Sequence, residues 1–121
     1  MNKQYRIKKN SEFQAVFQKG RSAANRQFVL YVLERSDQEH FRLGLSVSKK
    51  VGNAVTRNRV KRLVKEAFHQ MEEDIKVPFD FVVIARKPAV DLDFEMVKSS
   101  LKHVLKRAKI VKGKRSGPKK G

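Results

Sequence analysis

The sequence predicts a small α+β protein in which helices pack on one face of a β-sheet. Three observations lead to this fold class. Three segments repeat their apolar residues with the period of an amphipathic helix, and other segments are rich in β-branched and aromatic residues. The two kinds of segment alternate along 121 residues that contain no internal repeat. We therefore predict a single domain at residues 11–108, between a basic arm at 1–10 and a disordered basic tail at 109–121.

The first predicted helix begins at Ser11, which can cap the helix together with Gln14 three residues later. Its apolar stripe has the i, i+3, i+4 spacing and consists of Phe13, Val16 and Phe17. Gly20 is a natural stop. The segment is long enough for a short helix.

Two strands are predicted next. Residues 27–35 have the sequence QFVLYVLER, which is dense in strand-forming residues. Residues 41–48 have the sequence FRLGLSVS, in which apolar and polar positions alternate. Because only a polar turn at 36–40 separates them, we expect the two strands to form an antiparallel hairpin with one buried face.

The densest positive charge lies in residues 49–71, whose sequence is KKVGNAVTRNRVKRLVKEAFHQM. The apolar residues of this segment recur with helical spacing at Val60, Leu63, Val64, Ala67, Phe68 and Met71. The opposite side carries Asn58, Lys61, Arg62 and Lys65, and its margins carry Arg57 and Arg59. Asn53 or Thr56 can cap the start of the helix. One helix is thus expected to bury one face and expose a row of cations on the other.

Residues 79–86, FDFVVIAR, predict a further strand, and a last helix follows it. Asp91 or Asp93 can cap this helix, whose apolar stripe consists of Phe94, Val97, Leu101, Val104, Leu105 and Ala108. Because strands flank the basic helix on both sides, the helix is expected to be a crossover connection between parallel neighbours.

The charge balance narrows the class of partner. With 29 Lys and Arg against 12 Asp and Glu, the formal net charge is +17 and the pI is about 10.6. Such a charge repels itself in a compact chain and is typical of proteins that bind a polyanion. No long apolar run or lipidation signal favours a membrane. The lack of cysteine excludes disulfides and thiolate chemistry, so a cytoplasmic location is expected.

The acidic residues and histidines do not form a convincing catalytic site. Asp91, Asp93 and Glu95 could in principle hold a metal, but carboxylates at a helix start are more often caps. The consecutive residues Glu72, Glu73 and Asp74 would splay apart around a helix end. His69 and His103 are in predicted helices without a fixed carboxylate at i±4, and His40 is in a predicted turn. We expect no catalytic residue and no metal site in the polypeptide.

Two patterns indicate binding instead. The polar side of the basic helix has five cations and one asparagine between Arg57 and Lys65 but no acidic residue. An ordinary solvated face mixes both signs, so this one predicts contact with phosphates. Phe13, Phe17 and Tyr31 are either core residues or a surface on which unpaired bases stack, and their spacing leaves both alternatives open.

Residues 42–68, RLGLSVSKKVGNAVTRNRVKRLVKEAF, resemble the signature of the bacterial ribonuclease P protein component. The triplet Arg57-Asn58-Arg59 followed by Lys61-Arg62 is similar to the hallmark motif of that family. The resemblance extends to residues 25–33, NRQFVLYVL, and to residues 82–89, VVIARKPA.

The resemblance implies a two-layer α/β sandwich with a four-stranded sheet, three helices and a left-handed βαβ crossover. It also implies a protein subunit that binds a catalytic RNA subunit and helps to remove the 5′ leader of precursor tRNA. The RNA would carry the chemistry and hold the Mg²⁺ ions.

The family pattern assigns two sets of residues. Those expected to bind the RNA subunit are Lys49, Lys50, Asn53, Arg57, Asn58, Arg59, Lys61, Arg62 and Lys65. Those expected to bind the precursor-tRNA leader are Phe13, Phe17, Tyr31 and Asn58.

Two other classes of protein share some of these features. A structural RNA-binding protein, such as a small ribosomal protein, would also have basic helices and tails, but the aromatic residues and the triplet favour the first interpretation. A double-stranded DNA binder usually presents its basic helix in a helix-turn-helix or zipper, whereas strands flank this helix.

Overall fold

A computed structural model describes residues 6–35, 40–75 and 79–110 of the chain. Within these ranges the helices are α1 (Asn10–Lys19), α2 (Ala54–Gln70) and α3 (Phe94–Arg107). The strands are β1 (Arg21–Ala24), β2 (Phe28–Glu34), β3 (Arg42–Ser46) and β4 (Phe79–Ala85). Short 3-10 helices span Glu72–Asp74 and Lys87–Asp91. Among the described residues, no helix combines the length and the apolar character that crossing a membrane requires.

The strands form one mixed sheet in the order β1-β2-β4-β3. The pairs β1–β2 and β2–β4 are antiparallel, while β3 and β4 are parallel and are connected through α2. These features confirm the predicted α+β fold with four strands and three helices, and they confirm a crossover between parallel neighbours. The left hand of that crossover stays a prediction.

The predicted hairpin between the second and third strands is wrong, because β4 lies between β2 and β3. The seven residues of β4 are buried at every position except Ile84, as expected for a central strand whose two faces are both covered by helices. The hairpin in the sheet is instead β1–β2. The strand β1, with the sequence RSAA, was not predicted because it is short and has no apolar alternation.

One face of the sheet forms the main core with α2 and α3. Alternate residues of β2 and β4 point into it, among them Phe28, Leu30, Val32, Phe81 and Val83. Phe41, Phe68 and Phe81 pack around one another with ring centroids 6.0, 5.9 and 5.8 Å apart. The predicted apolar stripes of α2 and α3 supply the opposite wall, which explains why both helices lie on this face.

The helix α1 packs on the opposite face, so the predicted one-face arrangement holds for α2 and α3 alone. Val16 of α1 and Val82 of β4 are buried there, with Phe13, Phe17, Tyr31, Leu33 and Ile84 packed around them. The helix begins at Asn10, one residue before the predicted cap at Ser11. The capping residue is Glu12 and not Gln14, since Glu12 Oε1 accepts a hydrogen bond from the backbone N–H of Lys9 at 3.2 Å.

The other two helices begin at predicted caps. Asn53 Oδ1 accepts from Thr56 N at 2.9 Å at the start of α2, and Asp93 Oδ1 accepts from Met96 N at 2.9 Å at the start of α3. Each choice between two predicted caps is thereby decided, for Asn53 over Thr56 and for Asp93 over Asp91.

The folded unit extends beyond residues 11–108 at both ends. Arg6 forms a β-bridge with Leu43, and the N–H of the buried Ile7 donates to the Leu43 carbonyl at 3.0 Å. At the other end Ile110 is buried and donates to the Leu105 carbonyl at 3.0 Å. Residues 6–10 are therefore not a loose arm. The rest of the predicted arm and tail, residues 1–5 and 111–121, lies outside the described residues.

A charged network on the α1 face joins three elements. Asp80 has no exposed surface, and its strand-register partner is Arg42 of β3. Arg42 Nε donates to Asp80 Oδ1 at 2.9 Å and Nη2 donates to Oδ2 at 2.8 Å, while Nη1 reaches Glu12 Oε2 of α1 at 2.9 Å. Arg35 adds a longer contact of 3.4 Å to Asp80. These hydrogen bonds, first of all the pair to Asp80, raise the pKa of Arg42 above its ordinary value.

Replacement of Asp80 by Asn should destabilise the protein by about 3 kcal/mol, because the half-buried Arg42 loses its ionic partner. The measurement is the free energy of unfolding in urea. Asp91→Asn removes the same charge from an exposed position and should change stability by less than about 0.5 kcal/mol. Equal stabilities of the two variants would contradict a structural role for the network.

Candidate nucleic-acid interface

The outer face of α2 is the main concentration of positive charge in the described structure. Asn58 and Arg62 are exposed on it, and Lys61 and Lys65 are half-buried at its border. The helix has no acidic residue before Glu66, so no carboxylate of α2 offsets these cations. The face exists because the opposite side of the same helix is buried in the main core.

The two arginines at the margins of this face have different surroundings. Arg59 donates from Nη1 to the Val90 carbonyl at 3.3 Å and from Nη2 to the Leu92 carbonyl at 3.0 Å. It therefore fixes the turn before α3 to α2, and two of its five N–H donors are engaged in doing so. Arg57 donates only from Nε, to the Gly52 carbonyl at 3.1 Å, which leaves its terminal amino groups without a partner among the described residues.

The other predicted cations precede the helix. Lys49 and Lys50 are exposed in the turn that leads into α2. That turn is closed by a hydrogen bond of 3.0 Å from Val51 N to the Ser48 carbonyl. The Asn53 side-chain oxygen caps α2, so a ligand could use only its amino group. The structure thus places these three residues next to the N-terminal end of the α2 face.

A groove separates α2 from α1 beside the edge of β3 that faces away from β4. Lys61 and Lys65 of α2 stand on one side of it and Phe13 of α1 on the other, and Arg6, Ile7, Leu43, Gly44 and Leu45 complete its lining. Burial, together with the nearby charges of Arg6 and Lys61, lowers the pKa of Lys65. An anion in this groove would relieve the repulsion among the three cations.

The ring of Phe13 lies directly on the backbone of β3 at Gly44. A Cβ atom at residue 44 would come within 2.6 Å of Phe13 Cε1, so only glycine allows this approach. The glycine in FRLGLSVS thus has a packing reason. It lets an aromatic ring line the groove opposite the lysines.

Phe17 and Tyr31 continue the aromatic surface across the α1 face of the sheet. Their rings meet edge to face, with centroids 5.0 Å apart and an interplanar angle of 87°. Tyr31 lies on the opposite face from Leu30 and Val32, as the alternation predicted. All three predicted aromatics are half-buried and therefore combine packing contacts with an accessible side. Asn58, the fourth predicted leader contact, is on α2 and does not line the groove.

The sequence analysis missed several residues that build this site. Arg6 was assigned to a loose arm, and Glu12 and Arg42 were not considered although they hold α1 against β3. A signal for the network was available: Asp80 interrupts an otherwise apolar strand, and a buried carboxylate requires a cationic partner. Partial burial works against ionisation of Glu12, yet the hydrogen bond from Arg42 and the N–H groups of Lys9 and Lys8 leave its pKa below the ordinary value.

The fold and this surface define a class of small basic α+β proteins with a cationic crossover helix beside an aromatic groove. Comparison with known proteins narrows that class. Residues 1–109 match the family model described as Ribonuclease P. The chain belongs to the family of ribonuclease P protein components.

Relatives match over almost the whole length. The ribonuclease P protein component of Shouchella clausii is 63% identical over 111 residues, which cover 92% of this chain and 91% of that protein. The solved RNase P protein of Staphylococcus aureus has 51% identity and a TM-score of 0.83, covering 89% of this chain and 98% of that one. The RNase P protein of Thermotoga maritima has 34% identity and a TM-score of 0.78 over 89% and 98% of the two chains.

Proposed function

We propose that this chain is the protein subunit of a ribonuclease P. In this proposal it binds the catalytic RNA subunit through the cationic face of α2. It also holds the single-stranded 5′ leader of precursor tRNA on the aromatic surface beside α1. The result is assistance to endonucleolytic removal of the leader, which produces the mature 5′ end of the tRNA. The expected location is the cytoplasm.

The observation that carries the proposal is the groove in which cations and an aromatic ring face each other. Lys61 and Lys65 can contact a phosphate backbone while Phe13 offers a ring to a base. Phe17 and Tyr31 extend the ring surface in the direction of β1. A single strand needs this combination of charge and stacking, whereas a duplex keeps its bases out of reach of such rings.

The cations outside the groove suit a second, structured RNA. Arg62, Asn58, Lys49 and Lys50 are exposed along or next to the outer face of α2. Their contacts would be with phosphates, which exposed cations bind without reading bases. Arg57 can contribute its free amino groups, whereas Arg59 is better explained as an anchor of the fold. We therefore assign RNA binding to this set and propose a structural role for Arg59 beside it.

The chemistry is assigned to the RNA subunit. Among the described residues, no three His, Asp or Glu side chains form a group that could hold a metal ion. In this proposal the Mg²⁺ ions are held mainly by the RNA subunit. The protein would contribute binding, orientation and charge neutralisation, which strengthen the association of two polyanions.

The experiment that tests the function is cleavage of precursor tRNA by the RNA subunit at low magnesium, with and without this chain. We expect the chain to increase the rate, because its cations replace part of the charge screening that magnesium otherwise provides. A structural RNA-binding protein would bind the RNA without increasing cleavage. Absence of stimulation would refute the proposal.

Arg62→Ala should weaken binding of the RNA subunit and reduce the slope of log affinity against log salt by roughly 1, the value for one lost phosphate contact. The measurement is a filter-binding titration at several salt concentrations. Lys102→Ala, which removes an exposed cation of α3, is the control and should leave the slope close to that of the wild type. If Arg62→Ala also leaves the slope unchanged, direct phosphate contact by Arg62 is excluded.

Tyr31→Ala should raise the dissociation constant of the RNA–protein complex for a long-leader precursor roughly tenfold, since a lost stacking contact costs about 1–3 kcal/mol. Affinity for leaderless tRNA should not change. Tyr31→Phe keeps the ring and should bind both substrates like the wild type. Equal losses for Tyr31→Ala on both substrates would show that Tyr31 serves packing alone.

A further inference from the structure

A second group of cations surrounds the β1–β2 turn, apart from the groove. Arg26 in the β1–β2 turn, Arg86 after β4 and Arg107 at the end of α3 line one shallow depression together with His103. We call these three residues the arginine cluster. They come from three separate elements, so only the folded chain brings them together.

The backbone beneath the cluster is held by Asn25. Its Oδ1 accepts from the backbone N–H groups of Gln27 at 3.1 Å and Phe28 at 2.8 Å. Its Nδ2 donates to the carbonyl and the hydroxyl of Ser100 in α3, at 2.8 and 3.0 Å. The β1–β2 turn is therefore tied to α3, and the positions that carry the arginines are fixed relative to one another.

Two of the arginines are themselves oriented by the turn. Arg107 Nη1 donates to the Ala24 carbonyl at 2.7 Å, and Arg86 Nη1 donates to the Asn25 carbonyl at 3.3 Å. A guanidinium has five N–H donors, so most of the donors of these two exposed side chains are left for a ligand. Arg26 is exposed and makes no hydrogen bond within the described part of the chain, so no packing role accounts for it.

The charge of the cluster is not balanced locally. No acidic residue is among the described residues that line the depression, and none of the three arginines forms an ion pair with a described carboxylate. The cluster surrounds the β1–β2 turn, whereas the groove follows β3. The depression and the groove share no lining residue, so they are separate sites.

We propose that the arginine cluster is a second phosphate-binding surface, and that its occupant is the sugar-phosphate backbone of the RNA subunit. This inference rests on the proposed function. Planar guanidinium groups match phosphate oxygens through paired hydrogen bonds, and pre-oriented side chains lose little entropy when they bind. The protein would then bind the RNA subunit through two surfaces, the outer face of α2 and the arginine cluster.

The lining of the cluster favours a structured RNA over the single-stranded leader. No Phe or Tyr side chain is among the described residues that line it, so unpaired bases would find no ring other than the imidazole of His103. Arginines held by backbone carbonyls suit a backbone whose phosphates are already fixed in position. The leader, in contrast, has its aromatic surface on the other side of the molecule.

The test compares two double variants that each remove two exposed positive charges. Arg26→Gln with Arg86→Gln alters the cluster, and Lys102→Gln with Lys106→Gln alters α3 residues that do not line it. We expect the arginine variant to reduce the salt slope for binding of the RNA subunit by roughly 2, and the lysine variant to stay close to the wild type. Affinity of the assembled RNA–protein complex for precursor tRNA should be unchanged. Thermal unfolding checks that both variants are folded.

Three results would overturn the inference. Equal salt slopes for the arginine variant and the wild type would show that the cluster contacts no phosphate of the RNA subunit. Equal reductions in the arginine and lysine variants would show that only total charge matters. A loss confined to precursor tRNA would identify the substrate as the occupant. If the wild-type chain itself does not bind the RNA subunit, the proposed function fails, and that failure is distinct from these three.

Discussion

The ion pair between Arg42 and Asp80 is the contact on which the arrangement of the sheet depends. The two residues face each other in β3 and β4, which are brought together only by the long crossover through α2. Because Asp80 is fully buried, a shift of register would leave a charge without its partner, and a shift by one residue would turn it into the apolar core. The pair thus selects one register. The guanidinium of Arg42 also donates to Glu12 of α1, so the ion pair fixes the position of α1 as well as the strand register.

The way in which charges are paired separates the interior of this protein from its binding surfaces. The few described carboxylates that approach cations act inside the fold: Asp80 and Glu12 hold β3, β4 and α1 together. The exposed Asp93 caps α3. The lysines and arginines of α2 and of the arginine cluster have no such partner among the described carboxylates. A chain with 29 basic and 12 acidic residues therefore uses part of its small supply of carboxylates for structure and leaves its outer cations for a polyanion.

The two faces of the sheet have different tasks because they are covered to different extents. Two helices seal one face and supply most of the buried apolar contacts. The other face carries α1 alone, and its aromatic residues remain half-buried. Phe13 depends on Gly44 for its place at the groove, so the binding surface is built from the same close contacts that seat α1. Stability and binding are thereby combined on the side that a single helix covers.

The sequence by itself determined the α+β class, the extents of α2 and α3 to within a few residues, and the row of cations opposite the apolar stripe of α2. These features follow from local periodicity, since the spacing of apolar residues along one element decides which side is buried. It also indicated the family, through a continuous motif. Only the tertiary structure decided the strand partners, because β4 comes later in the chain and yet pairs between β2 and β3. The tertiary structure also decided that Arg59 holds the turn before α3 and that Arg26, Arg86 and Arg107 line one depression. Contacts between residues so far apart in the chain leave no periodic trace in the sequence, because they depend on how whole elements pack.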